Sequence, residues 1–151
     1  MVLMALDVGE KRIGVATSDS GIVAMPHSVI LRKSKREDFA QVQRLVTELQ
    51  VERLIIGLPY SLSGHNERIG PQAQRVMRYA EALAEVVKLP FDYFDESYST
   101  VTAQQYLNSG KRAKTPIDAA AAAVILQRYL DRRRDHDDTT DETTDNLALS
   151  F

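Results

Sequence analysis

This chain of 151 residues predicts an α/β fold, a five-stranded mixed sheet in the order 3-2-1-4-5 flanked by helices. Three observations carry that expectation. Three strand-like runs at the N-terminus are joined by tight, Gly-containing turns, the pattern of an antiparallel meander. Beyond them the apolar residues change to a helical period. Between the helices lie further short apolar runs, and helices are the usual crossovers between parallel strands.

The first strand, Val2 to Leu6, is apolar throughout, as a strand buried on both faces requires, and Asp7 stands where it ends. A carboxylate at the end of a buried strand is costly unless a cation or hydrogen bonds compensate it, so Asp7 is the first candidate for chemistry. Gly9 and the charged Glu10-Lys11-Arg12 turn the chain into a second strand that contains Gly14. Ser20-Gly21 turns it again into a third, Ile22 to Ile30, where Pro26 is compatible with an edge or a bulge. Ser34 and Glu37 form an S-x-x-E capping box, followed by a helix with Phe39, Val42, Leu45, Val46 and Leu49 on one face. A buried strand covers Arg53 to Gly57, and a polar loop runs from Tyr60 to about Gly70. Pro71 sits in the first turn of a second helix, whose inner stripe includes Ala73, Val76, Ala80, Leu83 and Val87. Phe91 to Glu96 is the fifth strand, and a short helix over Val101 to Ser109 is stopped by Gly110. After the basic linker Lys111 to Lys114, Thr115 and Pro116 start an alanine-rich last helix that runs to about Arg134.

With 44% hydrophobic and 26% charged residues, the composition is that of a soluble globular domain rather than a disordered chain. No run approaches the roughly 18 apolar residues of a membrane helix, and the start of the chain lacks a signal-peptide pattern. There is no cysteine, which excludes disulfides and thiolate chemistry and makes the cytoplasm the expected compartment. The net charge of −2 hides an asymmetry. All 19 Lys and Arg lie at or before Arg134, facing 15 of the 21 acids, so the body carries +4 and the rest −6. Residues 1–134 are therefore read as one domain, and 135–151 as a disordered acidic tail with an apolar tip. A mildly basic body suits nucleic acid as a partner.

In the sheet order above, the first and fifth strands are two spacings apart, about 10 Å. Asp7 and Glu96 both lie at strand carboxyl ends, the edge where such sheets bind ligands. Asp118, in the first turn of the last helix, is positioned to be a third carboxylate. Mg²⁺ and Mn²⁺ prefer carboxylate and water oxygens, and two such ions roughly 4 Å apart can activate water and stabilise the leaving oxygen of a phosphodiester. Each acid also has a plainer account. Asp118 completes a T-x-x-D capping box with Thr115, Asp7 suits a turn before Gly9, and Asp95 and Glu96 are compatible with solvated strand ends.

Four motifs in order resemble the YqgF/RuvX family: D-x-G-x-K-R-I-G-V-A from Asp7, I-G-L-P from Ile56, D-E-x-x-S-T from Asp95, and K-x-x-I-D-x-A-A-A from Lys114. That family is described both as candidate Holliday-junction resolvases and as nucleases maturing the 5′ end of 16S ribosomal RNA. The resemblance spans about residues 2 to 131. It implies an RNase H-like fold, with Asp7, Glu96 and Asp118 as catalytic, metal-binding carboxylates for Mg²⁺ or Mn²⁺. Two departures stand out. Ser97 and Tyr98 replace the basic and aliphatic pair usual after the Glu. Position 121, where related resolvases carry a further acid, is Ala, leaving Asp95 or Glu10 to substitute, or one ion to bind alone.

Lys11, Arg12, Lys111, Arg112 and Lys114 flank the carboxylates in sequence and are the expected phosphate contacts, with Lys114 matching the family motif. The loop residues Tyr60, Ser61, His65, Asn66 and Arg68 are candidates to lie over the substrate. The expected activity is metal-dependent hydrolysis of structured nucleic acid, with the 16S ribosomal RNA precursor favoured. Junction resolution by a homodimer is the nearest alternative, and binding without cleavage is the alternative from another class. The tip Asn146-Leu-Ala-Leu149-Ser-Phe151 is similar to the peptides by which bacterial proteins bind the replication sliding clamp.

Overall fold

The computed structural model describes residues 1–59, 70–95 and 117–149, and within the last segment the side chains of 119–135. The elements in chain order are β1 (Val2–Val8), β2 (Arg12–Ser18), β3 (Met25–Leu31), α1 (Lys35–Leu49), β4 (Val51–Leu58), α2 (Pro71–Val87), β5 (Phe91–Asp95) and α3 (Ile117–Leu149). The sheet order is β3-β2-β1-β4-β5, as the sequence predicts. β1 is antiparallel to β2 and β2 to β3, whereas β1, β4 and β5 are parallel. The expected short helix at 101–109, the loop at 60–69 and the linker at 111–114 lie outside the described residues.

Strand alternation divides the core into two layers. Met4, Leu6 and Val8 of β1 and Leu54, Ile56 and Leu58 of β4 face α1 and α2, meeting Phe39, Val42, Val76 and Leu83. Leu3, Ala5, Ala16 and Ile55 face the other way, against Ala122, Ile125, Leu126 and Leu130 of α3. Burying each large aliphatic side chain contributes about 1.5–3 kcal/mol, so both faces of the central strands are held strongly. The alanines of α3 at 119, 120, 121 and 122 are all buried, and Ala122 packs in the cluster on the sheet, where its small volume suits close approach of the helix.

Of the capping box at the start of α1 the Ser34 half forms: its side chain accepts a hydrogen bond from the Glu37 backbone N–H. Pro71 is the first residue of α2, as expected. Pro26 sits on the edge strand and beside a register shift at Val15/Ala16, so it satisfies both conditions that permit proline in a sheet.

Three boundaries differ from the sequence reading. β1 continues past Asp7, because Val8 still pairs with Ile13. β3 begins at Met25 rather than Ile22, because the backbone before it is engaged elsewhere. The Ser20 hydroxyl accepts from the N–H groups of Ile22 and Val23, while the Gln127 side chain of α3 accepts from Ala24 N–H and donates to the Ile22 carbonyl. The helical backbone of α3 extends beyond Arg134 to Leu149. Each residue added to a nucleated helix adds one hydrogen bond, and neither Pro nor Gly follows Arg134 to interrupt it.

Candidate functional site

Asp7 is half-buried, one residue from the end of β1, at the edge where the parallel strands have their carboxyl ends. It alternates with Leu3 and Ala5, so its side chain leaves the sheet on the α3 face. Its partner across the β1–β2 ladder is Gly14. On the other flank the parallel register pairs Ala5 with Ile55 and Leu6 with Ile56, which brings Gly57 alongside Asp7. Neither flanking residue has a side chain. Asp7 therefore stands at a notch in the side-chain surface of the sheet, between two buried glycines.

α3 lies over this face and is tied to β5 by a polar contact. The Tyr129 hydroxyl donates to the Asp92 carboxylate at 2.6 Å, and Arg53 of β4 donates to the same oxygen at 3.0 Å. Partial burial, then the hydrogen bond to Asp92 and its charge, raise the Tyr129 pKa, so the phenol stays protonated as the donor. Phe94 and Tyr129 pack edge to face beside it, with centroids 6.4 Å apart. These contacts fix the helix whose second residue is Asp118 relative to the edge that carries Asp7.

The predicted site residues divide into two groups. Asp7, Lys11 and Arg12 are described, all at the carboxyl-terminal edge of β1, and the two cations are exposed. Arg12 alternates with Gly14 and Ala16 in β2, which gives it the face of Asp7. Glu96, Lys111, Arg112 and Lys114 lie outside the described residues, as do Tyr60, Ser61, His65, Asn66 and Arg68. The backbone of Asp118 is helical, whereas its side chain lies outside the description. Among the described residues there is no group of three acids or histidines able to hold a metal ion.

Two substitutes for the acid lacking at position 121 are on the wrong side. Asp95 is in register with Leu58, a residue of the α1/α2 core, so it points away from the face of Asp7. Glu10 lines a cavity on that same opposite side. Ala121 itself is buried, packed with Ala120 and Val124.

A constellation absent from the sequence reading supports the turn that follows Asp7. Arg32, just past β3, donates to the Gly9 carbonyl at 2.7 Å, and its backbone N–H donates to the Lys11 carbonyl at 2.8 Å. The Gly9 N–H closes the turn onto the Arg12 carbonyl at 2.8 Å, and a Cβ at Gly9 would come within 2.9 Å of that oxygen. Arg32 in turn is held by Asp38, 3.7 Å away, and lies over the Tyr79 ring at 4.5 Å. Asp38 is 1% exposed yet well satisfied: it also accepts from Lys33 N–H at 2.9 Å and from the Tyr79 hydroxyl at 3.0 Å. Burial first, then the charge and hydrogen bond of Asp38, hold the Tyr79 pKa well above the ordinary phenol value. The sequence signal for this cluster was an acid on the inner side of α1, beside Phe39, where a hydrophobic residue is usual.

A family profile described as "RuvX: Holliday junction resolvase" matches residues 1–132. Among curated relatives, a protein of Synechocystis sp. named as a candidate pre-16S rRNA nuclease is 44% identical over 149 residues, covering 95% of this chain and 94% of that one. A relative of the same name from Syntrophomonas wolfei is 43% identical over 136 residues, covering 87% and 94%. Among solved structures, Thermus thermophilus RuvC in complex with a Holliday junction substrate superposes with a TM-score of 0.59 at 14% identity, covering 89% of this chain and 96% of that one. The fowlpox virus Holliday junction resolvase gives 0.55 at 8% identity, covering 87% and 99%. These two likenesses identify a RuvC-like RNase H fold, with its five-stranded mixed sheet and three helices. By the extent of the profile match and by its identity to these relatives, the chain belongs to the RuvX/YqgF family.

Proposed function

We propose that this protein is a divalent-metal-dependent nuclease that processes the 5′ end of the 16S ribosomal RNA precursor. The observation that carries the reading is the notch at Asp7: a half-buried carboxylate between two glycines, at the carboxyl edge of a RuvC-like sheet. The relatives' names favour RNA, at identities above 40%, over the junction DNA of structural neighbours that are 14% identical or less.

The donor chemistry fits a hard cation, since Asp7 offers carboxylate oxygens and is only half-buried. Mg²⁺ or Mn²⁺ would be held by Asp7, Glu96 and Asp118, and when bound would supply charge for an attacking water and for the leaving oxygen. Glu96 directly follows Asp95, the last residue of β5, in the sequence. Asp118 opens the helix lying over the face of Asp7. Asp7 also orients the reaction by its fixed place on a buried strand, while Arg12 on the same face holds a substrate phosphate. Lys11, Lys111, Arg112 and Lys114 add phosphate contacts.

The test is cleavage of a 16S precursor RNA and of a four-way DNA junction by the purified protein with Mg²⁺ or Mn²⁺, beside Asp7→Asn. RNA cleavage at the mature 5′ end by the wild type, lost in Asp7→Asn with RNA binding retained, is the expected result. Cleavage of the DNA junction alone would move the reading to the resolvase named in the family's description. Binding without cleavage of either substrate would end the enzymatic reading.

A further inference from the structure

On the sheet face opposite Asp7, the start of α1, the N-terminal half of α2 and the β1–β2 turn border a cavity of about 290 Å³. Val8, Val76 and Tyr79 form its apolar floor. Val8 is the neighbour of Asp7 in β1, and alternation sends the two side chains to opposite faces of one strand end. The cavity's volume is near the lower bound of roughly 300–1,000 Å³ typical of small-ligand sites, and it suits a sugar-phosphate unit better than a large cofactor.

Lys35 of α1 and Arg75 and Arg78 of α2 line this cavity and are exposed. Among the described residues none of the three has an ion-pair partner. Arg32 also reaches the lining, but Asp38 offsets its charge, and Glu10 is the other acid there. The cleft thus carries a surplus of two positive charges. Lys35 is the first residue of α1, where a cation opposes the helix dipole and is unfavourable. Phosphate contacts would offset that cost, whereas burial of Lys35 does not, since the residue is exposed.

We propose that this cleft binds the phosphodiester backbone of the nucleic-acid substrate, through Lys35, Arg75 and Arg78, on the far side of the β1–β2 turn from Asp7. The inference rests on the nuclease reading above and adds a second grip to it. Gly9 and Glu10 belong both to the cleft wall and to the turn that carries Lys11 and Arg12. A strand passing over this turn therefore meets cations on each side of it. Substrates that reach both faces are structured or extended past the cut.

The experiment measures binding of a fluorescein-labelled RNA hairpin with a single-stranded tail, in EDTA to prevent cleavage, across a salt series. The proteins are the full chain, Lys35→Gln, the double variant Arg75→Gln/Arg78→Gln, and Arg36→Gln. Arg36 is an exposed cation in the same turn as Lys35 but outside the cleft. The double variant is expected to bind about tenfold more weakly, with its salt slope reduced by about two, at an unchanged melting temperature. Lys35→Gln is expected to lower the slope by about one, and Arg36→Gln to leave it unchanged. If the cleft variants bind like the wild type, the cleft is not a phosphate site and the nuclease reading survives. A loss in Arg36→Gln as large as in Lys35→Gln would reduce the effect to overall charge and overturn the proposal. Failure of the wild type to bind the RNA at all would overturn both.

Discussion

Asp7 of β1 is paired across the sheet with Gly14 of β2, and this places a carboxylate beside a position that has no side chain. Glycine weakens a strand and packs nothing, so its presence at the partner of the only acid in β1 is informative. Gly57 repeats the arrangement on the β4 side. On the face of Asp7 the sheet thus presents no side chain at either neighbouring position.

Gly14→Val tests that arrangement. Valine suits a strand, so the fold should persist, although filling this buried position should cost about 1–3 kcal/mol of stability. The added methyl groups crowd Asp7, and a displacement of about 1 Å at a reacting centre can lower the rate about 100-fold. The expected outcome is a fall of that order in kcat at near-wild-type RNA affinity. Unchanged kcat would show that the notch is not used.

Metal linkage gives a readout besides catalysis. An ion that binds the folded state alone stabilises it by about 2.7 kcal/mol when its concentration is 100 times its Kd. Millimolar Mg²⁺ or Mn²⁺ should therefore raise the melting temperature of the wild type, and EDTA should reverse the rise. Asp7→Asn should lose most of that response. A metal response equal in both proteins would place the ion away from Asp7.

Tyr79 and Asp38 make stability depend on alkaline pH. The folded-state pKa of Tyr79 is raised above its unfolded value of about 10, so the folded protein holds this proton more tightly. Its contribution is complete below about pH 10 and is lost as pH rises through the folded pKa. Urea midpoints followed from neutral pH to pH 11 should fall more steeply in the wild type than in Tyr79→Phe. At pH 7 the same substitution removes a donor from the buried Asp38 carboxylate and should cost about 1–3 kcal/mol.

Gln127→Ala removes the side chain that engages Ala24 N–H and the Ile22 carbonyl, the groups that keep this segment out of β3. A loss of about 1–2 kcal/mol in unfolding free energy is expected, with faster amide exchange at Ala24. Protection at Ala24 equal to that in the wild type would show that the connection is held by other contacts.

What the residue order determined by itself is what acts locally. The Ser34 cap and Pro71 marked two helix starts, because capping and the φ of proline involve only neighbouring residues. Apolar runs against helical periods separated strands from helices, and the turns at Gly9 and Gly21 implied the meander. The strand order then followed from parallel crossovers, and Asp7 was legible as an acid at the end of a buried strand. Side-chain direction was not legible, because a strand's faces acquire meaning only through the register with its neighbours. Only the tertiary structure showed that Gly14 and Gly57 flank Asp7, that Asp95 and Glu10 lie on the other side, and that Gln127 takes backbone from β3. It alone also gathered Lys35, Arg75 and Arg78 from two helices distant in sequence into one cleft. Such contacts are set by how elements pack, and no local window of residues contains them.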